Sequence, residues 1–217
     1  SNYNLGNYKE AIEIYNKIRE EYAKEEYGKN ALYQLGFCYG RIGAYPRAIE
    51  YLEQFLKEYP QDEMCANIVS TIGDVYIAQE KYSDAIDNYR KGIKTYSKSP
   101  AAPRMQSQIG FCYFKMEKYD DMRKEYEQVI KNYPESEYCS EANYWTGWKL
   151  IRDGKKEEGI KRFNEAKRWK DTFTGRTIQF KIGEYFYSEK EYDSAEKEYL
   201  EIIEKAEDIE MVDTSIE

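Results

Sequence analysis

Histidine is missing altogether from these 217 residues. With it go the imidazole general base, the Ser-His-Asp and Cys-His relays, and histidine-ligated zinc. Cysteine is scarce, and the four residues at 38, 65, 112 and 139 are too widely spaced for a CxxC metal knuckle or redox pair. No run of 18 apolar residues occurs, so no segment is expected to span a membrane. Basic charge is the minority sign, at 33 Lys and Arg against 41 Asp and Glu, which argues against a general nucleic-acid binder. No catalytic, metal-ligating or cofactor-binding constellation is legible, and the carboxylates alternate with lysines as solvated helix faces do. What remains, 41% hydrophobic residues, is enough for a folded protein of one domain or two.

The organisation lies in a repeat. A glycine following Leu, Ile or Thr sits at 36, 73, 110, 147 and 183, spaced by 37, 37, 37 and 36 residues. Twelve residues after each stands a second marker: Ala48, Ala85, Met122, Gly159 and Ala195. Ala11 extends that series backwards. A period of this size signals a stacked array of supersecondary units. Each unit reads as two amphipathic helices, with helix A over about 29–42, a turn at "GAYP", and helix B over about 46–59 stopped by Pro60. A mid-helix glycine costs about 1 kcal/mol against alanine. Gly36 on A and Ala48 on B are expected to offset it by letting the two backbones approach.

This pattern resembles the tetratricopeptide repeat over nearly the whole chain. The family signature falls on Leu32, Leu35-Gly36, Tyr39, Gly43-Ala44-Tyr45, Ala48, Leu52, Phe55 and Pro60, and returns on Ile72-Gly73, Tyr76, Tyr82, Ala85 and Tyr89. It returns again on Ile109-Gly110, Tyr113, Tyr119, Met122 and Tyr126. The fifth unit departs, with Leu150 for the Tyr and Lys156 for the turn aromatic. The resemblance implies an all-α, right-handed superhelix of tandem hairpins. Its units are expected at about 1–28 (a helix B without its helix A), 29–65, 66–102, 103–139, 140–175 and 176–206. Residues 207–217 form a tail or the start of further sequence. An array cut in mid-hairpin exposes an apolar face, so a fragment of a longer array, or self-association through the first unit, is expected. The long Tyr-Pro junctions "KEYPQDEMCA" and "KNYPESEYCS" resemble those of bacterial envelope members, the outer-membrane assembly lipoproteins and the Tol-Pal coordinator, and suggest an envelope location.

Most of the 24 tyrosines fall at repeat-equivalent packing positions. In this family the second face of helix A lines a concave groove. Here that face carries Tyr33 and Phe37, Phe111 and Phe114, Tyr144 and Trp148, then Phe180 and Tyr187; the third unit puts Ser70 and Asp74 there. Such rings suit a peptide with apolar anchors, or they fill gaps between successive A helices. The Lys and Asn clamp with which some family members hold chaperone C-termini has no counterpart at the matching positions. Cys38/Cys112 and Cys65/Cys139 are pairs two units apart, about 20 Å by helix spacing, which predicts four free, buried thiols. Charge is uneven: 11 basic and 5 acidic residues fill 149–181, against 3 and 13 in 182–217. The two blocks either neutralise each other or offer a docking surface for an acidic partner.

These readings add up to a non-catalytic scaffold, without cofactor, that binds a protein or peptide segment in an aromatic groove. A glycan-recognising module, or the regulatory region of a larger enzyme or envelope complex, is the alternative.

Overall fold

The computed structural model describes the backbone of residues 2–23, 25–169 and 173–214, and the side chains of 7–23, 25–168 and 175–204. The chain falls into two compact units, residues 1–116 and 117–217. The first holds α1 (Asn2–Glu21), α2 (Glu26–Arg41), α3 (Tyr45–Glu58), α4 (Cys65–Ala78), α5 (Tyr82–Thr95) and α6 (Ala102–Lys115). In the second stand α7 (Tyr119–Asn132), α8 (Tyr138–Arg152), α9 (Lys156–Ala166), a 3-10 turn (Lys167–Trp169), α10 (Phe173–Ser188) and α11 (Tyr192–Thr214). There is no strand among the described residues. Segment 207–217, expected as a tail, is helical through Thr214; 215–217 lie outside the described residues.

The glycines do what their spacing predicts. A Cβ on Gly36 would stand 2.6 Å from Leu52 Cγ and 3.3 Å from the carbonyl oxygen of Ala48. On Gly73 it would strike the Tyr89 ring at 2.3 Å, and on Gly183 the Tyr199 ring at 2.5 Å. In the fifth unit the contact is backbone to backbone: Cβ atoms on Gly147 and Gly159 would each lie 2.7 Å from the other's carbonyl oxygen. The departures there cost no packing, since Leu150 is buried and Lys156 stands outside and pairs with Glu191 at 2.6 Å.

Turns repeat as faithfully as helices. Each A helix outside the unit boundary ends in a Schellman motif, with backbone N–H bonds from Ala44 to Tyr39 O, Lys81 to Tyr76 O, Lys155 to Leu150 O and Glu191 to Phe186 O at 2.9–3.0 Å. The left-handed residue of the motif is Gly43 (φ 78) or Gly154 (φ 80), but also Glu80 (φ 58) and Lys190 (φ 63). The long junctions are closed by Asp62, Ser99 and Ser136, again 37 apart. Their side chains accept the N–H of Met64 (2.9 Å), Ala101 (3.2 Å) and Tyr138 (3.4 Å), so each fixes the entry to α4, α6 and α8.

Helix α1 packs on α2 through Ile12, Leu35 and Cys38. Ala11 and Tyr15 pack against the same cluster. Ala11, Tyr15 and Ile18 are half-buried, whereas their equivalents Ala48, Leu52 and Phe55 are fully buried, and Ile14 is exposed.

Candidate partner-binding surface

In the first unit the inner positions of α2, α4 and α6 carry rings at the ends and a polar patch between. Phe37 is 39% exposed and meets Tyr8 of α1 edge-on at 6.2 Å. Tyr33 is half-buried against the core formed by Leu32, Leu52, Phe55 and Ile68. Phe111 is half-buried beneath Lys115 Nζ at 5.6 Å, and Phe114 is half-buried as well. The departure at Ser70 and Asp74 now has a reason. Arg104 of α6 donates to Ser70 Oγ and, at 2.7 Å, to Asp74 Oδ2, while the fully buried Tyr89 hydroxyl donates to Asp74 Oδ1 at 2.6 Å. Burial, with Asp74 beside it, pushes the Tyr89 hydroxyl far above its usual range. Rings give way here to an ion pair joining successive A helices.

In the second unit "YWTGW" forms a continuous ring assembly. Trp148 packs edge-on against Tyr119 (5.3 Å) and Trp145 (5.7 Å); Trp145 meets Tyr144 (5.1 Å), and Tyr144 stacks on Phe163 at 5.4 Å and 15°. Trp148 is half-buried. Tyr144, expected on the groove, is a correction: it is 8% exposed and belongs to the core with Phe163, Ile178 and Ile182. Phe163, which fills the space beside Gly147, stacks on the Tyr144 ring, and burial pushes the Tyr144 hydroxyl up to about 12. Phe180 and Tyr187 on α10 are 50% and 62% exposed, and lean on Tyr199 and Tyr192 at 5.5 Å.

Part of the basic block is paired with carboxylates. Lys156 pairs with Glu191, Lys167 with the buried Glu198, Arg168 with Glu135, and Lys149 with Asp120 and Asp153. These pairs reach α7 through Asp120, α11 through Glu198, and the turns at Glu135 and Glu191, while Asp153 lies in the stretch itself. All four cysteines are free and buried. Cys65 and Cys139 hold equivalent places, each sulfur 3.1 Å from the carbonyl oxygen of Tyr59 or Tyr133. Among the described residues no group of three or more Cys, Asp or Glu is placed to hold a metal ion, and no helix is long and apolar enough to cross a membrane.

Buried amides were not anticipated. The first signature position reads Leu32, Val69, Gln106, Asn143 and Gln179, turning from apolar to amide along the chain. Asn143 Oδ1 accepts from Arg162 Nη1 at 3.3 Å, and Gln179 Nε2 donates to Glu198 and Glu201 at 3.4 and 2.8 Å. Aligning the repeats by their glycines would have exposed this drift.

Residues 4–92 match the family described as anaphase-promoting complex, cyclosome, subunit 3, and residues 106–136 match the tetratricopeptide repeat. With the repeat geometry above, the chain is a tetratricopeptide-repeat protein, all-α and built of tandem hairpins. Among solved structures it is similar to MamA (24% identity over 74% of this chain and 87% of that one, TM-score 0.57). It is also similar to BtubC of P. vanneervenii (16%, 75% and 73%, TM-score 0.61) and to a tetratricopeptide repeat protein from Parabacteroides merdae (15%, 82% and 66%, TM-score 0.58). Likeness at these identities shows the fold. No curated protein matches the chain.

Proposed function

We propose that the chain is a non-catalytic scaffold that docks a partner segment on the aromatic faces of its A helices. The observation that carries this reading is the exposure of Phe37, Phe180 and Tyr187, large rings at the positions expected to line the groove, each resting with one edge or face on a neighbouring tyrosine. Rings of this kind give much contact area at small entropic cost, and a few of them hold most of an interface's energy. Trp148, half-buried on Tyr119 and Trp145, serves both packing and contact, so the cleaner test lies elsewhere. A peptide-display library selected on the whole chain is expected to return segments with aromatic or aliphatic anchors. Phe37→Ala and Phe180→Ala should each weaken the selected peptide at least tenfold with the melting temperature held. Unchanged affinity in both variants overturns the reading, and binding of oligosaccharides in preference to peptides supports the glycan alternative.

The half-buried row Ala11, Tyr15 and Ile18 supports self-association over α1 as a second reading, which concentration-dependent sedimentation would reveal and Ile14→Glu abolish. The Tyr-Pro junctions support an envelope location, to be tested by fractionation of the producing cell.

A further inference from the structure

Two constellations three repeats apart are built alike. Tyr8, Phe37 and Arg41 in the first unit correspond, each by a shift of 111 residues, to Tyr119, Trp148 and Arg152 in the second. In each, the turn aromatic of one hairpin meets the ring on the following helix A edge-on: 6.2 Å and 70° for Tyr8–Phe37, 5.3 Å and 64° for Tyr119–Trp148. In each, an arginine one turn further along that helix lays its guanidinium over both rings. Arg41 stands 5.8 Å from either centroid, and Arg152 stands 5.0 and 4.7 Å from them. Both arginines are exposed, and neither is bonded to a carboxylate among the described residues. Near the second bracket three acids are engaged by lysines: Lys149 takes Asp120 at 2.9 Å and Asp153 at 2.6 Å, and Lys124 takes Asp121 at 3.0 Å. A cleft of about 420 Å³ opens beside it; Tyr119, Lys118, Lys149 and Arg152 line it together with four carboxylates, Glu117, Asp120, Asp121 and Asp153, so an incoming acid has to reach the arginine fork itself.

An arginine held within cation–π distance of two rings has part of its rotamer freedom already restricted, so less is lost when a planar acceptor meets its fork of N–H donors. Carboxylates match that fork bidentately. We propose that the two arginine–aromatic brackets are carboxylate-binding sites, which select partner segments carrying Asp or Glu beside an apolar side chain. This inference rests on the docking reading above for its apolar half, while the carboxylate half stands by itself. The chain's net charge of −8 works against an acidic partner at long range, so local contact at the brackets has to supply the preference.

Four fluorescent twelve-residue peptides test it on the whole chain by anisotropy, alternating Glu–Phe, Gln–Phe, Glu–Ser or Lys–Phe. Glu–Phe should bind at least tenfold tighter than Gln–Phe. The double variant Arg41→Gln, Arg152→Gln should erase that difference without moving the melting temperature, while Arg152→Lys with Arg41→Lys, which keep charge but lose the fork, should restore only part of it. Binding of Glu–Ser, lost in the glutamine variant, supports the brackets even if apolar docking fails. Equal binding of Glu–Phe and Gln–Phe overturns the brackets and leaves the docking reading standing. Preference for Lys–Phe, or no binding of any peptide at millimolar concentration, also overturns the brackets.

Discussion

Glu80 and Lys190 occupy the left-handed turn position that Gly43 and Gly154 fill in equivalent repeats. For a residue with a Cβ that conformation costs about 1–2 kcal/mol, against which glycine's extra freedom in the unfolded chain offsets part. Glu80→Gly is therefore expected to stabilise by about 0.5–1 kcal/mol, seen as a higher urea midpoint with an unchanged slope. A lower midpoint would mean that the glutamate makes a compensating contact. The thiols carry a pH signature. Burial, with Asp74 nearby, pushes Cys112 up to about 12, and burial pushes Cys139 up to about 11. An unfolded thiol ionises near 8.5. Below that pH both states hold the proton and the contribution is fully present; above it the unfolded chain releases protons first, and stability falls as pH rises towards the folded values. Denaturation series between pH 8 and 9.5, below the tyrosine range, should show a shallower decline in Cys112→Ala than in the parent. An identical decline would assign the effect elsewhere.

At the scale of elements, two ion pairs tie the basic stretch to α11 and to the turn before it, and they differ in their surroundings. Lys167 meets Glu198, whose side chain is 5% exposed, and Lys156 meets Glu191 with side chains 54% and 32% exposed. Removing one partner of a buried pair strands a charge and costs about 3–5 kcal/mol, whereas an exposed pair is worth about 0–1 kcal/mol. Lys167→Met should accordingly destabilise by several times more than Lys156→Met in parallel thermal melts. Equal effects would show that water reaches Glu198. Junction elements depend on Asp62, Ser99 and Ser136 in the same way. Pairing with Lys29 and the N–H of Met64 holds the Asp62 carboxyl below the usual range. That contribution is present above about pH 4 and is lost as pH falls through the lowered value. Asp62→Asn should flatten the acid limb of the stability curve, and an unaltered limb would remove Asp62 as its source.

For the whole molecule, repeat arrays sum local stabilities and nearest-neighbour terms, so damage need not spread. A Cβ on Gly159 would stand 2.4 Å from Ile151 Cγ1 and 2.7 Å from Gly147 O. Gly159→Leu should thus open the second unit first. Hydrogen exchange is expected to show lost amide protection in α8 and α9 while α2 to α4 keep theirs. Simultaneous loss in both would mean that the two units unfold as one cooperative block.

The sequence by itself determined the period, the helix pairing and the close approach at four of the five signature glycines, because steric demands repeat wherever the spacing repeats: Gly36, Gly73, Gly147 and Gly183 all meet a neighbour their Cβ would hit. It also determined that the cysteines are buried and apart. Which aromatics remain in contact with solvent was decided only in three dimensions. Tyr144 and Phe180 share one repeat position, yet the first stacks on Phe163 in the core and the second is half exposed. The position fixes the direction of a side chain, while its burial depends on the size of whatever the facing helix offers. The pairing of Arg104 with Asp74, and the meeting of Arg41 with Tyr8 and of Arg152 with Tyr119, were likewise tertiary decisions, since those partners come from helices in neighbouring repeats.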